Sequence, residues 1–120
     1  MRQVGVLAAA ALHAVDHHRA RLADDHRAAR ILADRVATAR GASVDVASVE
    51  TNIVNVRLVE AKADAVVAEA RRRGVLVNAT GPGQLRVVTH LDAPPERAHE
   101  AAERLALAIE TVLVGPEARR

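Results

Sequence analysis

The sequence of 120 residues contains no cysteine and no aromatic residue, and Lys62 is its only lysine. Without cysteine, the protein can form neither a disulfide nor a thiolate metal site. It also lacks the rings on which nucleic-acid bases usually stack, and its formal net charge is only +2, so we expect no nucleic-acid partner. The apolar N-terminal stretch is interrupted by His13 and Asp16, and no run reaches membrane-spanning length. These absences predict a soluble, cytoplasmic protein with no membrane partner.

The core available to such a sequence is entirely aliphatic. Half of the residues are apolar, and they are mainly alanine, valine, leucine and isoleucine. Because alanine buries little area per contact, we expect a monomer to be only modestly stable. The composition therefore favours a protein that depends on another domain or on a partner subunit.

Helical spacing dominates the first third of the chain. Apolar residues at steps of three and four predict a helix from Gln3 to about His18 and a second from about Arg19 to Ala39. No proline or glycine separates the two, so they form either one bent helix or two helices joined at residues 17–19. The predicted buried face of the second helix consists of Leu22, Ala29, Leu32, Ala33 and Val36.

Beyond Gly41 the hydrophobic period changes to that of strands. The predicted strands cover residues 43–46, 52–58, 75–78 and 85–89, with a turn at 81–83. One helix is predicted over 62–73, with Ala65, Val66, Ala68 and Ala70 buried, and another from about Pro95 to Val114, with Asp92 as its cap.

This order of elements predicts an α+β fold: long N-terminal helices plus a small, mostly antiparallel sheet with helices on one face. We expect a single domain over residues 1–120. Within it, residues 1–40 form a helical lead-in, 41–115 the α+β core and 116–120 a tail.

No residue has the setting of a self-sufficient catalyst. His13 and His17 lie four apart on a helix, but a third well-placed ligand is missing, so we predict no metal site. Neither Ser43 nor Ser48 lies in a nucleophile elbow. Lys62 lies at the polar start of a helix, whereas an imine-forming lysine needs a desolvated pocket.

Two arginines are the candidate ligand-binding residues. Arg86 follows the turn at 81–83 in an otherwise apolar strand; alternation alone leaves it pointing either to solvent on the open face of the sheet or into a site. Arg2 lies at the start of the first helix. A guanidinium at the end of a regular element is a common means of binding a carboxylate or a phosphate. Thr89, at the end of this predicted strand, is predicted to be a structural strand residue, whereas His90, just beyond it, remains ambiguous.

Four segments together resemble the low-specificity L-threonine aldolases. They are MRQVGVLAAA (1–10), RLADDH (21–26), VETNIV (49–54) and GPGQLRVVTHLD (81–92). Their order along the chain matches that of the family. Residues 55–57 and 93–95 depart from the family's pattern.

The resemblance implies a fold-type I pyridoxal-phosphate (PLP) enzyme, of which this chain is the small C-terminal domain. It implies cleavage of L-threonine or allo-threonine to glycine and acetaldehyde, a small amino-acid substrate, and a homo-oligomer, either a dimer or a tetramer. PLP would be bound mainly by a missing N-terminal domain that carries the Schiff-base lysine, so the chain itself holds no catalytic residue and is expected to be an inactive fragment. By the same resemblance, Arg86 holds the substrate carboxylate and Arg2 lies near the cofactor phosphate. The alternative is a free-standing α+β dimerisation or interaction module without catalysis.

Overall fold

The computed structural model describes residues 2–114, so the predicted tail (116–120) lies outside the described residues. Within them the helices are α1 (Val4–His18), α2 (Leu22–Ala37), α3 (Ala63–Arg72) and α4 (Pro95–Val114). The strands are β1 (Ala42–Ser43), β2 (Ile53–Leu58), β3 (Asn78–Gly81) and β4 (Gln84–Val88). The predicted α+β fold is confirmed. No helix in this part of the chain is both long and apolar enough to cross a membrane.

The sheet is antiparallel throughout, with the strand order β1-β2-β4-β3. Its two central strands pair in a register that places Val54 opposite Val87 and Val56 opposite Leu85, and all four side chains are buried. The residues between them alternate to the other face, as strand geometry requires. One face of the sheet therefore forms the core and the other faces outward.

The core lies between the inward face of the sheet and the helices α2, α3 and α4. Its largest fully buried side chains are Leu85, Leu105, Ile109, Val36, Val54, Val56 and Val66. Eleven of the 24 buried apolar residues within 2–114 are alanines. The other 13, all valine, leucine or isoleucine, therefore contribute most of the apolar area buried on folding.

The two N-terminal helices are separate, because residues 19–21 form a turn between them. The prediction for α2 was correct at Ala29, Leu32, Ala33 and Val36, which are buried. It was wrong at Leu22, which is 48% exposed because α2 begins at that residue. By contrast, α1 buries no residue at all; its exposed large apolar side chains are Val4, Val6, Leu7, Leu12 and Val15.

Two predicted strands differ from those observed. Pairing at 43–46 ends at Ser43, because a short 3-10 helix, Val46–Ser48, follows. Arg30 of α2 binds both ends of this segment: its guanidinium donates to the Val46 oxygen at 2.5 Å and to the oxygen of Val49, the residue after the 3-10 helix, at 3.0 Å. The segment 75–77 pairs with no described strand, so β3 begins only at Asn78.

The predicted buried face of α3 is partly wrong. Val66 and Ala70 are buried, but Ala65 and Ala68 are exposed; Ala63 and the charged residue Glu69 are buried instead. Burial of the carboxylate is possible because two arginines bind it, as described below.

The predicted cap of the last helix is also wrong. Because α4 begins at Pro95, residue 94 precedes its first turn, and Asp92 lies too far upstream to cap it. The backbone N–H of Asp92 instead donates to the Nδ1 atom of His90 at 3.3 Å.

Candidate functional site: the open face of the sheet

The outward side of the sheet, hereafter the open face, carries polar rows that run across the strands. Asn55 and Asn78 are the register partners of Arg86, one on each side of it. In the next row, Arg57 pairs with Ser43 and Gln84. The open face thus consists of Ser43, Ile53, Asn55, Arg57, Asn78, Gln84, Arg86 and Val88, all of them exposed.

Arg86 lies in the middle of β4 and points to the open face. Its strand neighbours, Leu85 and Val87, are buried, so alternation carries the guanidinium to the opposite side. Of the two orientations that the sequence left open, the structure shows the solvent-facing one. Arg86 helps to line a depression of about 590 Å³ on this face.

Among residues 2–114, the guanidinium of Arg86 makes no hydrogen bond or ion pair. None of the side-chain hydrogen bonds or salt bridges includes it, and the same holds for Arg57. A guanidinium has five N–H donors in a planar fork. The donors of both arginines are therefore available to a ligand.

Arginines elsewhere in the fold are used differently. Arg35 binds Glu103 with two hydrogen bonds, of 2.7 and 2.9 Å, which join α2 to α4. This bidentate pair lowers the pKa of Glu103 and raises that of Arg35. Arg72 and Arg73 together bind Glu69 and hold the pKa of its carboxyl below the usual value. These arginines form ion pairs within the fold, whereas Arg57 and Arg86 form none of the described ion pairs.

Arg2, the other candidate, is exposed in the turn before α1. About 22 Å of helix separate it from the turn at 19–21, given a rise of 1.5 Å per residue. Arg2 is not among the described residues that line the depression on the open face.

The remaining candidates fit structural or surface roles. The rings of His13 and His17 stack at 4.2 Å, but the described residues contain no group of three side chains that could hold a metal ion. Lys62 is exposed just before α3. Thr89 is buried and its hydroxyl donates to the Asp25 carbonyl at 2.6 Å, so its predicted structural role is confirmed.

A smaller depression, of about 260 Å³, lies beside the start of α4. Its residues include His90, which is exposed, and Arg97 and Arg104. Arg104 is already engaged, since it donates to Glu100 at 2.5 Å and to the Arg73 carbonyl at 3.1 Å. This depression therefore offers fewer free donors than the open face.

Sequence reasoning did not identify the residues around Arg86. Asn55 and Asn78 lie 31 and 8 residues from it along the chain, and only the strand register makes them its neighbours. Arg57 was noted only as a departure from a family pattern. The one available signal was the alternation of polar residues with valines along a strand. That alternation identifies the residues on the outward face, but it does not tell which residue of the neighbouring strand lies opposite each of them.

Comparisons with known proteins agree with this fold and with the sequence resemblance. The family model for beta-eliminating lyases matches residues 1–59. The low specificity L-threonine aldolase of Escherichia coli K12 is 40% identical over 102 residues, which cover 85% of this chain and 29% of that protein. The probable low-specificity L-threonine aldolase 2 of Arabidopsis thaliana is 41% identical over 93 residues, or 75% of this chain and 26% of the relative.

The chain is similar in sequence to the low-specificity L-threonine aldolases. It matches their C-terminal portion and spans less than a third of the length of these curated relatives. Among solved structures, that of MppP soaked with the product 2-ketoarginine superimposes with a TM-score of 0.64, covering 82% of this chain and 30% of that one. At 17% identity this likeness concerns the fold alone.

Proposed function

We propose that this chain is the substrate-carboxylate-binding, C-terminal domain of a PLP-dependent L-threonine aldolase that cleaves threonine or allo-threonine to glycine and acetaldehyde. The observation that carries the proposal is Arg86, an arginine without a carboxylate partner in the described structure. It lies on a central strand of a chain that is 40% identical over 102 residues to the low specificity L-threonine aldolase of E. coli K12. A bidentate grip on the α-carboxylate would fix the orientation of the substrate, and with it the bond that is cleaved.

Residues 2–114 contain no lysine in the setting that PLP requires. The only lysine of the chain, Lys62, is exposed, whereas a Schiff-base lysine needs a desolvated setting. Arg2 is the one residue that we assign to the cofactor, as a ligand of its phosphate, and it is exposed in the turn before α1. We therefore propose that a PLP domain outside these 120 residues holds the cofactor and that this chain alone does not turn over threonine.

The exposed helix α1 supports the need for such a partner. A 15-residue helix is marginal in water unless its apolar side packs against something, and α1 buries no residue within the chain. We propose that the PLP domain, or a second subunit of a homo-oligomer, covers Val4, Leu7 and Val15. The same helix also favours the second candidate function, a dimerisation module without catalysis.

A chimera separates the two functions. We would join this chain to the N-terminal portion of the E. coli relative, in place of the matching C-terminal portion, and measure threonine cleavage. Activity of the chimera is expected for the aldolase domain. A chimera that is folded and binds PLP but is inactive would contradict it, and a stable dimer of the isolated chain would then favour the module.

The role of Arg86 is tested in the same chimera. Arg86→Ala removes a charge-assisted, bidentate contact of about 3 kcal/mol, so kcat/KM should fall by roughly 100-fold. Arg71→Ala is the matched control: Arg71 is exposed on α3 and takes part in none of the described ion pairs. Equal activities of the two variants would refute the carboxylate-binding role.

A further inference from the structure

A second arginine, Arg57, lies on the open face next to Arg86. The register pairs Asn55 with Arg86 and Arg57 with Gln84, so the two arginines are diagonal neighbours on adjacent central strands. Diagonal partners in an antiparallel ladder lie about 7–8 Å apart, within reach of long side chains. Both are exposed and line the same depression.

The surroundings of this pair favour a negatively charged ligand. The residues that share its rows are neutral hydrogen-bonding side chains, namely Ser43, Asn55, Asn78 and Gln84. The one acidic residue lining the depression is Asp45, which forms no described ion pair with either arginine. Two like charges on neighbouring strands repel each other, and a ligand with two negative groups would remove that repulsion.

We propose that Arg57 and Arg86 form a two-arginine site for a small dicarboxylate. One carboxylate binds Arg86 and the other binds Arg57, with Asn55 and Gln84 as neutral donors beside them. In combination with the proposed function, on which this step rests, the site extends the substrate class to β-hydroxy amino acids that carry a second carboxylate on the β side.

Binding to the 120-residue chain tests the site independently of catalysis. We would titrate ¹⁵N-labelled protein with glutarate and, at matched ionic strength, with the monocarboxylate butyrate, and follow the Nε–Hε signals of the arginines. Glutarate should shift the signals of Arg57 and Arg86 with one common saturation curve. It should bind roughly fivefold more tightly than butyrate, the size expected of one additional exposed ion pair.

Three variants test which side chains cause the tighter binding of glutarate. Arg57→Gln should reduce glutarate affinity to about that of butyrate, because only one guanidinium then remains at the site. Gln84→Glu keeps the arginine but places a carboxylate directly opposite Arg57, so it should weaken glutarate binding in the same way. Arg71→Gln, on α3, should change neither the glutarate affinity nor the butyrate affinity. Unaltered signals of the buried core confirm that each variant is folded.

The outcomes distinguish this site from the proposed function. If glutarate and butyrate bind equally well, or if Arg57→Gln leaves glutarate affinity unchanged, the two-arginine site is overturned while the role of Arg86 stands. If neither acid shifts the Arg86 signal, the two-arginine site falls, and the chimera with Arg86→Ala still decides the aldolase role separately.

Discussion

Replacing Leu105 by alanine should remove a large part of the stability of this fold. Leu105 is fully buried on α4, in the same cluster as Leu85 and Val56, the strand residues beside the arginines of the open face. Leucine-to-alanine changes at such positions cost about 3–5 kcal/mol. A 120-residue domain has about 6–18 kcal/mol in total, and this core contains few other large side chains.

The same substitution at Leu107 provides the control. Leu107 lies on the same helix but is 45% exposed, so Leu107→Ala should change the free energy of unfolding by less than about 1 kcal/mol. Both changes leave helix propensity nearly constant, because alanine and leucine are both strong helix formers. The difference in the free energy of unfolding between the two variants therefore measures the effect of burying the leucine side chain.

Urea unfolding followed by far-UV circular dichroism is the suitable assay, since the chain has no aromatic residue whose fluorescence could report unfolding. With a slope of about 1.5–2 kcal/mol per molar urea, Leu105→Ala should lower the midpoint by roughly 2 M and Leu107→Ala by under about 0.6 M. Equal midpoints for the two variants would refute the placement of Leu105 at the centre of the core.

Two further predictions concern acid stability and the turn after α2. Because Arg72 and Arg73 lower the pKa of Glu69, its contribution to stability is present above the ordinary glutamate pKa of about 4.3 and is lost as the pH falls through the lower folded value. Urea midpoints of the wild-type protein and Glu69→Gln, compared from pH 7 to 3, should therefore converge in acid; a constant gap would contradict the pairing. Gly41 has φ of +85°, and a Cβ there would approach the Leu113 Cδ2 atom to 2.9 Å, so Gly41→Ala should cost about 1–2 kcal/mol or more. In a double-mutant cycle with Leu113→Ala, the share of this stability loss that is due to the close contact should be recovered. If the effects of the two changes simply add, that contact is excluded.

The elements that could be predicted from the sequence are those with strong local periodicity. β2, α2 and α4 appear within two or three residues of their predicted bounds, because each has a long buried stripe. The errors arise where tertiary contacts override local pattern. Residues 43–46 alternate like a strand, but Arg30 binds the carbonyls of Val46 and Val49, at the start of the 3-10 helix and just after it, from 16 and 19 residues away along the chain.

The candidate site was predictable only in part. Arg86 could be recognised as an exception in an apolar strand, but its direction required the observed alternation of β4. Its association with Asn55, Asn78 and Arg57 depends on the register of three strands, which local sequence does not determine. Glu69 was overlooked for a similar reason: a glutamate within a helix is ordinarily exposed, and only its two arginines make burial tolerable.

The isolation of α1 has a consequence for how the molecule unfolds. Since α1 shares no buried side chain with α2, α3 or α4, its opening does not require the core to open. Residues 22–114 should therefore behave as one cooperative unit, and backbone amides in α1 should exchange with solvent orders of magnitude faster than those of β2 and β4. A partner surface that binds and orders α1 would therefore attach to the chain without altering the stability of the sheet that carries Arg57 and Arg86.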